Sequence, residues 1–186
     1  MIVISGVTEI CRRYFVMNMF DGALAALGII MGMWISGIEN PSIIVRTILS
    51  AGLAMFFSGS LGAYLTEKAE RERKVRELEE TMFQEMKGSI FEKSSRLAVF
   101  IVSVIDGISP LIVCTILSMP FVASQVFMLD FTVSVITSMV ISIVMLGLLG
   151  FFLGRIARNK PVGYILYMVM AGIASAMVIV LLGIYV

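Results

Sequence analysis

Asp21 and Asp106 are carboxylates set inside long uncharged stretches of this 186-residue chain. A carboxylate in such a segment costs roughly 2.5 to 3.5 kcal/mol on membrane-insertion scales, so one that is kept there is a candidate for binding a cation or moving a proton. It can equally be a neutral or hydrogen-bonded group that ties two helices together, and Asn18 and Ser103 stand close enough in the sequence to serve as partners. Asp21 shares a helical face with Met17, Ala25, Gly28, Gly32 and Ser36, which is small except at Met17. Small residues let two helices approach closely, so a homodimer along this face would bring two Asp21 carboxylates together to share a proton or hold a cation. Packing within one chain, against Gly52, Met55, Gly59 and Gly62, is the alternative.

Met55 is a candidate thioether ligand, since a soft sulfur beside a hard carboxylate suits a borderline transition metal better than Mg²⁺ or Ca²⁺. With 15 methionines in the chain, most must fill space. Glu67, Glu70, Glu77 and Glu80 step by three and seven residues and share one side of a charged helix, a spacing that could gather divalent cations. Interleaved Lys and Arg make a solvated, self-neutralising face the competing account. Cys11 and Cys114 have no metal-ligand spacing and are too far apart along the spans to pair.

The elements that must position these groups are helices in a bilayer. Hydrophobic residues make up 59% of the chain and charged ones 15%, beyond what a soluble domain buries. Five runs are long and apolar enough to cross about 30 Å of hydrocarbon, near 14–36, 43–65, 97–118, 131–153 and 162–186. The expected fold is all-α, a polytopic membrane protein with residues 1–65 carrying helices 1 and 2, a charged cytoplasmic helical segment at 66–96, and helices 3 to 5 in 97–186. Thirteen of the 14 basic residues fall before helix 1, between helices 2 and 3 or between helices 4 and 5, leaving only Arg46 on the other side. By the positive-inside rule this sets the N-terminus in the cytoplasm and the C-terminus outside, with the cell membrane as the expected location. An N-terminal run containing Glu9 and no basic start does not look like a cleaved signal.

The charged segment has eight basic and eight acidic side chains, and apolar Val75, Leu78, Met82, Met86 and Ile90 form one stripe along it, so helix 2 should continue into the cytoplasm. Lys87-Gly88-Ser89 is the expected break. Asp21-Gly22 and Asp106-Gly107, each followed about forty residues on by a Leu-Gly helix end before a basic segment, suggest two helical hairpins in parallel repeat. The absence of histidine, and of any Ser-His or Cys-His pair or metal-hydrolase motif, argues against an enzyme. A net charge of +1 gives no basic field for nucleic acid.

Asp21-Gly22 with its Gly-containing apolar run, and Ser58-Gly-Ser-Leu-Gly-Ala-Tyr-Leu-Thr-Glu-Lys-Ala-Glu70 at the end of helix 2, resemble the vacuolar iron transporter and Ccc1-like family. The resemblance runs through most of the chain, and five spans with a charged segment between the second and third fit it. It implies a homodimer meeting along helix 1, with no permanently bound cofactor, that moves Fe²⁺ or Mn²⁺ out of the cytoplasm, with Asp21 matching the family's ion-carrying aspartate and proton exchange as the coupling. Gly59 and Ala51 stand where that family carries a methionine and a membrane glutamate. The alternative is a scaffold or regulatory membrane protein whose aspartates are structural.

Overall fold

The computed structural model describes residues 2–82, 90–158 and 160–185, and every regular element in them is an α-helix: α1 Ile2–Ile35, α2 Pro41–Met82, α3 Ile90–Phe127, α4 Phe131–Ile156 and α5 Pro161–Tyr185. Each contains a stretch long and apolar enough to cross a membrane. α1 begins well before residue 14 because Arg12 and Arg13 end the apolar run but not the helix, both being good helix formers. α3 overruns its expected span at both ends and passes through Pro110 and Pro120, each of which removes one backbone donor without stopping it. α2 is unbroken to Met82 and, at 1.5 Å per residue, its 42 residues reach about 63 Å, twice a bilayer core. The expected break at Lys87-Gly88-Ser89 lies outside the described residues, as does much of the apolar stripe beyond Val75.

The turns explain where the chain reverses. Gly37 adopts φ +71°, and Gly37 and Ile38 donate to the carbonyls of Trp34 and Met33, which closes α1 with paired end-capping bonds. Asn40 then accepts from the Ser42 amide at 3.0 Å, with Pro41 at the first position of α2. Asp130 caps α4 through the Thr132 amide, so this loop carboxylate is a structural group. An alanine at 37 must take a backbone conformation that only glycine holds without strain. Gly37→Ala is expected to destabilise the protein by about 1 kcal/mol, a fall of about 2 to 4 °C in a detergent melt.

Contacts fix the directions. Asn18 meets Asp106 and Gly22 meets Pro110, so α1 and α3 run parallel. Gly59 meets Asp106 and Gly107 while Gly52 meets Leu111 and Cys114, so α2 runs against α3. Gly150 and Gly154 pack on Ile165 and Pro161, making α4 and α5 an antiparallel pair, and Gly28 touches Ile179 of α5. α3 is the centre of the bundle and carries α2 and α1 on its sides, whereas α1 and α2 touch each other little. The two hairpins read as repeats are therefore not the main packing pairs: α2 lies on α3, and α4 on α5. The glycine face of α2 meets α3 rather than α1, contrary to the intrachain alternative drawn from the sequence.

The interior is unusual in what it contains. Ser103, Ser109, Ser118, Ser124, Ser134, Ser138 and Ser142 are buried, most of them bonding backbone carbonyls, as Ser138 does across helices to Leu117 at 3.0 Å. Leu53, Phe57, Leu61, Val140, Leu148 and Leu166 face outward. Apolar outside, with serines buried among an apolar core, the bundle suits a bilayer rather than water.

Candidate functional site

Asp106 is 5% exposed and sits where α1, α2 and α3 converge. Three local features of the sequence put it there. Gly107 beside it lets α2 approach so closely that a side chain at 107 would run into the Phe56 carbonyl and Ser60. Gly59 of α2 leaves room for the carboxylate itself: a methyl group on Gly59 would lie 3.0 Å from Oδ2. Asn18 of α1 donates through Nδ2 both to the Tyr14 carbonyl, at 3.1 Å, and to Oδ1 of Asp106. Pro110, one turn on, has no N–H to give, so the backbone carbonyl of Asp106 lacks its ordinary intrahelical donor. Ser60 adds a buried hydroxyl with no partner among the described residues. The junction thus gathers a carboxylate, a freed carbonyl and a hydroxyl, all oxygen donors, which is the chemistry a hard or borderline cation or a proton calls for.

Asp21, one turn along α1 from Asn18, flanks the same junction. Its neighbour Gly22 packs on Pro110, where a Cβ would stand 2.8 Å from the proline Cα. Asp21 itself is exposed on the bundle surface, yet close enough to Asp106 for the two carboxylates to interact electrostatically. On the same face Met17 is half-exposed and Gly32 has nothing within 4 Å, so this strip of α1 is uncovered in part within one chain, while Gly28 on it lies against Ile179 of α5.

Toward the charged end a second buried carboxylate follows. Glu67 is 7% exposed, with Arg71 Nε 3.8 Å from its Oε2. Tyr14 lies within electrostatic reach of both Glu67 and Asp106, and Cys11 of Glu67 and Arg71. Glu67, Tyr14, Asn18 and Asp106 therefore mark a polar line between the three helices, leading from the charged end into the apolar part of the bundle.

The remaining predicted residues are not brought to that line. Met55 is half-buried against the hydrophobic core, one turn from Gly59 on the strip of α2 that faces α3. Glu70 is held by Arg73 and Lys74, and Glu77 by Arg73 at 3.1 Å, while Glu80 is exposed. Among the described residues no three Asp, Glu or Cys side chains converge as a metal site on their own. Asn18, foreseen as a partner for a membrane aspartate, is one, whereas Ser103 bonds Val99 of its own helix. Sequence reading missed Pro110, Tyr14 and Ser60. A proline four residues after a membrane aspartate was the available signal for the first of these.

The chain is 32% identical over 167 residues to the uncharacterized protein MJ0645 of Methanocaldococcus jannaschii, an alignment covering 88% of this chain and 84% of the relative. No family model matches the chain, and no solved structure matches it.

Proposed function

We propose that this chain, which belongs to the family of the Methanocaldococcus jannaschii protein MJ0645, is an integral membrane exporter that moves Fe²⁺ or Mn²⁺ out of the cytoplasm in exchange for protons. The observation that carries this reading is the pair of carboxylates, Asp21 and Asp106, within electrostatic reach of each other across the α1–α3 contact, with Glu67 buried on the approach from the charged end. The lysine and arginine bias sets that charged end in the cytoplasm. Glu67 would receive the ion at the mouth. Asp21 and Asp106 would hold it within the bilayer, alternating between metal-bound and protonated forms, as exchange requires. The resemblance to vacuolar iron transporters supports the same assignment for Asp21. Gly59, standing where that family has a methionine, is the residue that Asp106 lies against, so the third helix offers an oxygen ligand where the second lacks a sulfur.

A homodimer along α1 completes the reading. An exposed carboxylate on a membrane helix needs a polar partner, and a second copy laid on Asp21, Ala25, Gly28, Gly32 and Ser36 would provide one. The competing reading, a non-transporting scaffold, is favoured by one observation: Asp106 is already bonded to Asn18, the pattern of a helix-joining group.

Flux decides between them. Purified protein in proteoliposomes should move Mn²⁺ or Fe²⁺ in the direction opposite to an imposed proton gradient and shift the luminal pH in step with it. Flux equal to that of protein-free vesicles under every gradient would remove the transport reading and leave the scaffold.

A further inference from the structure

A cavity of about 660 Å³ opens between the charged ends of α1 and α4 and the flank of α5, apart from the carboxylate junction. Its size is that of a cleft for a small organic molecule, for which about 300 to 1,000 Å³ is usual. Arg12 and Arg13 stand at its rim with Glu9. Neither arginine is in an ion pair among the described residues; Arg13 lies 5.6 Å over the Tyr14 ring. Deeper in, the walls are wholly apolar: Val16 and Phe20 from α1, Leu153 from α4 and Met168 from α5. From Arg12 to Phe20 the wall descends about 12 Å along α1 at the helical rise.

Charge at the rim and hydrocarbon within is the mirror image of an amphiphile with an anionic head. We infer that this cavity is a binding site for an anionic phospholipid, its phosphate held by Arg12 and Arg13 and an acyl chain laid against Val16, Phe20, Leu153 and Met168. Charge complementarity selects the occupant. On the membrane reading above, the rim lies at the cytoplasmic leaflet, whose surface is negative and whose lipids are drawn to basic clusters beside a span. Glu9 does not cancel two guanidiniums, and its carboxylate can accept hydrogen bonds from the hydroxyls of a glycerol headgroup. The guanidinium fork suits phosphate geometry better than an ammonium would. A zwitterionic lipid would bring its own cation to a positive rim, so the site should discriminate against it.

The test uses the full chain in detergent micelles, doped in turn with phosphatidylglycerol, phosphatidylcholine or inorganic phosphate. Native mass spectrometry reads retention, and a thermal melt reads stabilisation. Phosphatidylglycerol should stay bound through detergent exchange and raise the melting temperature, while phosphatidylcholine and free phosphate do neither. Arg12→Gln with Arg13→Gln should weaken retention about 30-fold, taking the usual contribution of two basic residues at an anionic surface. Met168→Trp, which fills the apolar floor and leaves the charge, should also lose the lipid. Equal retention of phosphatidylcholine by the wild type would show an unselective crevice and overturn the proposal. So would stabilisation by phosphate alone, or unchanged phosphatidylglycerol binding in both folded variants. A variant that alters only the oligomeric mass would mark the cavity as an interface between copies and sink the lipid assignment as well. Metal flux is not read at any point, so the outcome is independent of the transport proposal.

Discussion

Asp21→Asn is expected to abolish Fe²⁺ or Mn²⁺ flux while the protein stays folded. The substitution keeps the shape of the side chain and removes its charge and its ability to carry a cation. Even changes to groups one layer outside a metal's ligands cost 10- to 100-fold, so loss of a carrying carboxylate should cost about 100-fold or more. Nothing in the fold depends on that charge: Asp21 is exposed, and no hydrogen bond or ion pair holds it among the described residues. Taking a carboxylate out of hydrocarbon should leave the melting temperature unchanged or raised. Asp106→Asn should reduce flux less, and Asp106→Ala should lower the melting temperature, because the Asn18 amide then loses its acceptor. A folded, dimeric Asp21→Asn protein that transports at the wild-type rate would remove Asp21 as the carrier.

Gly107→Ala should be more damaging to the fold than any other single methyl added to α3. Two effects oppose each other. Alanine is the better helix former by about 1 kcal/mol, which favours the variant. Against this, its Cβ would stand 2.6 Å from the Phe56 carbonyl oxygen and closer still to the Ser60 hydroxyl. The carbonyl belongs to the backbone of α2 and cannot rotate away. Overpacking of that kind typically costs 1 to 3 kcal/mol and occasionally more; with backbone as the obstacle, about 3 kcal/mol is expected, so the clash wins. Gly62→Ala and Gly163→Ala, where nothing lies within 4 Å, are the matched controls. Size-exclusion profiles and melts in detergent should show Gly107→Ala aggregated or melting several degrees lower beside unchanged controls. Equal stability of all three would mean that α2 and α3 do not meet at this point.

The five helices were legible because membrane spans announce themselves by length and apolar content, a signal that needs no knowledge of packing. The helix ends were less so. Apolar windows end at a charge such as Arg13 or Arg96, but a helix ends only where its hydrogen-bond ladder is capped, as at Gly37 or Asp130. Asp21 and Asp106 could be singled out because a charge in hydrocarbon is conspicuous. Their surroundings could not, since which helix faces which depends on small residues meeting in space. Gly52 and Gly59 read as a face for α1, and the structure sets them against α3 instead. Glu67 looked like one of four equivalent carboxylates, yet burial separates it from Glu70, Glu77 and Glu80, and periodicity alone carries no information about depth.

The weak contact between α1 and α2, set beside the strong hold that α3 has on both, bears on how the molecule is made. On the membrane reading, synthesis delivers α1 and α2 to the bilayer first. Until Arg96–Phe127 follows, Asn18 has no aspartate to bond, and Gly22, Gly52 and Gly59 have no surface to meet. The first two helices must wait as separate spans, with Asp21 the only carboxylate in hydrocarbon, and assembly begins when the third slides between them. A nascent chain halted after α2 would have only the slight α1–α2 contact to hold it together, and so would offer a quality-control protease its easiest target.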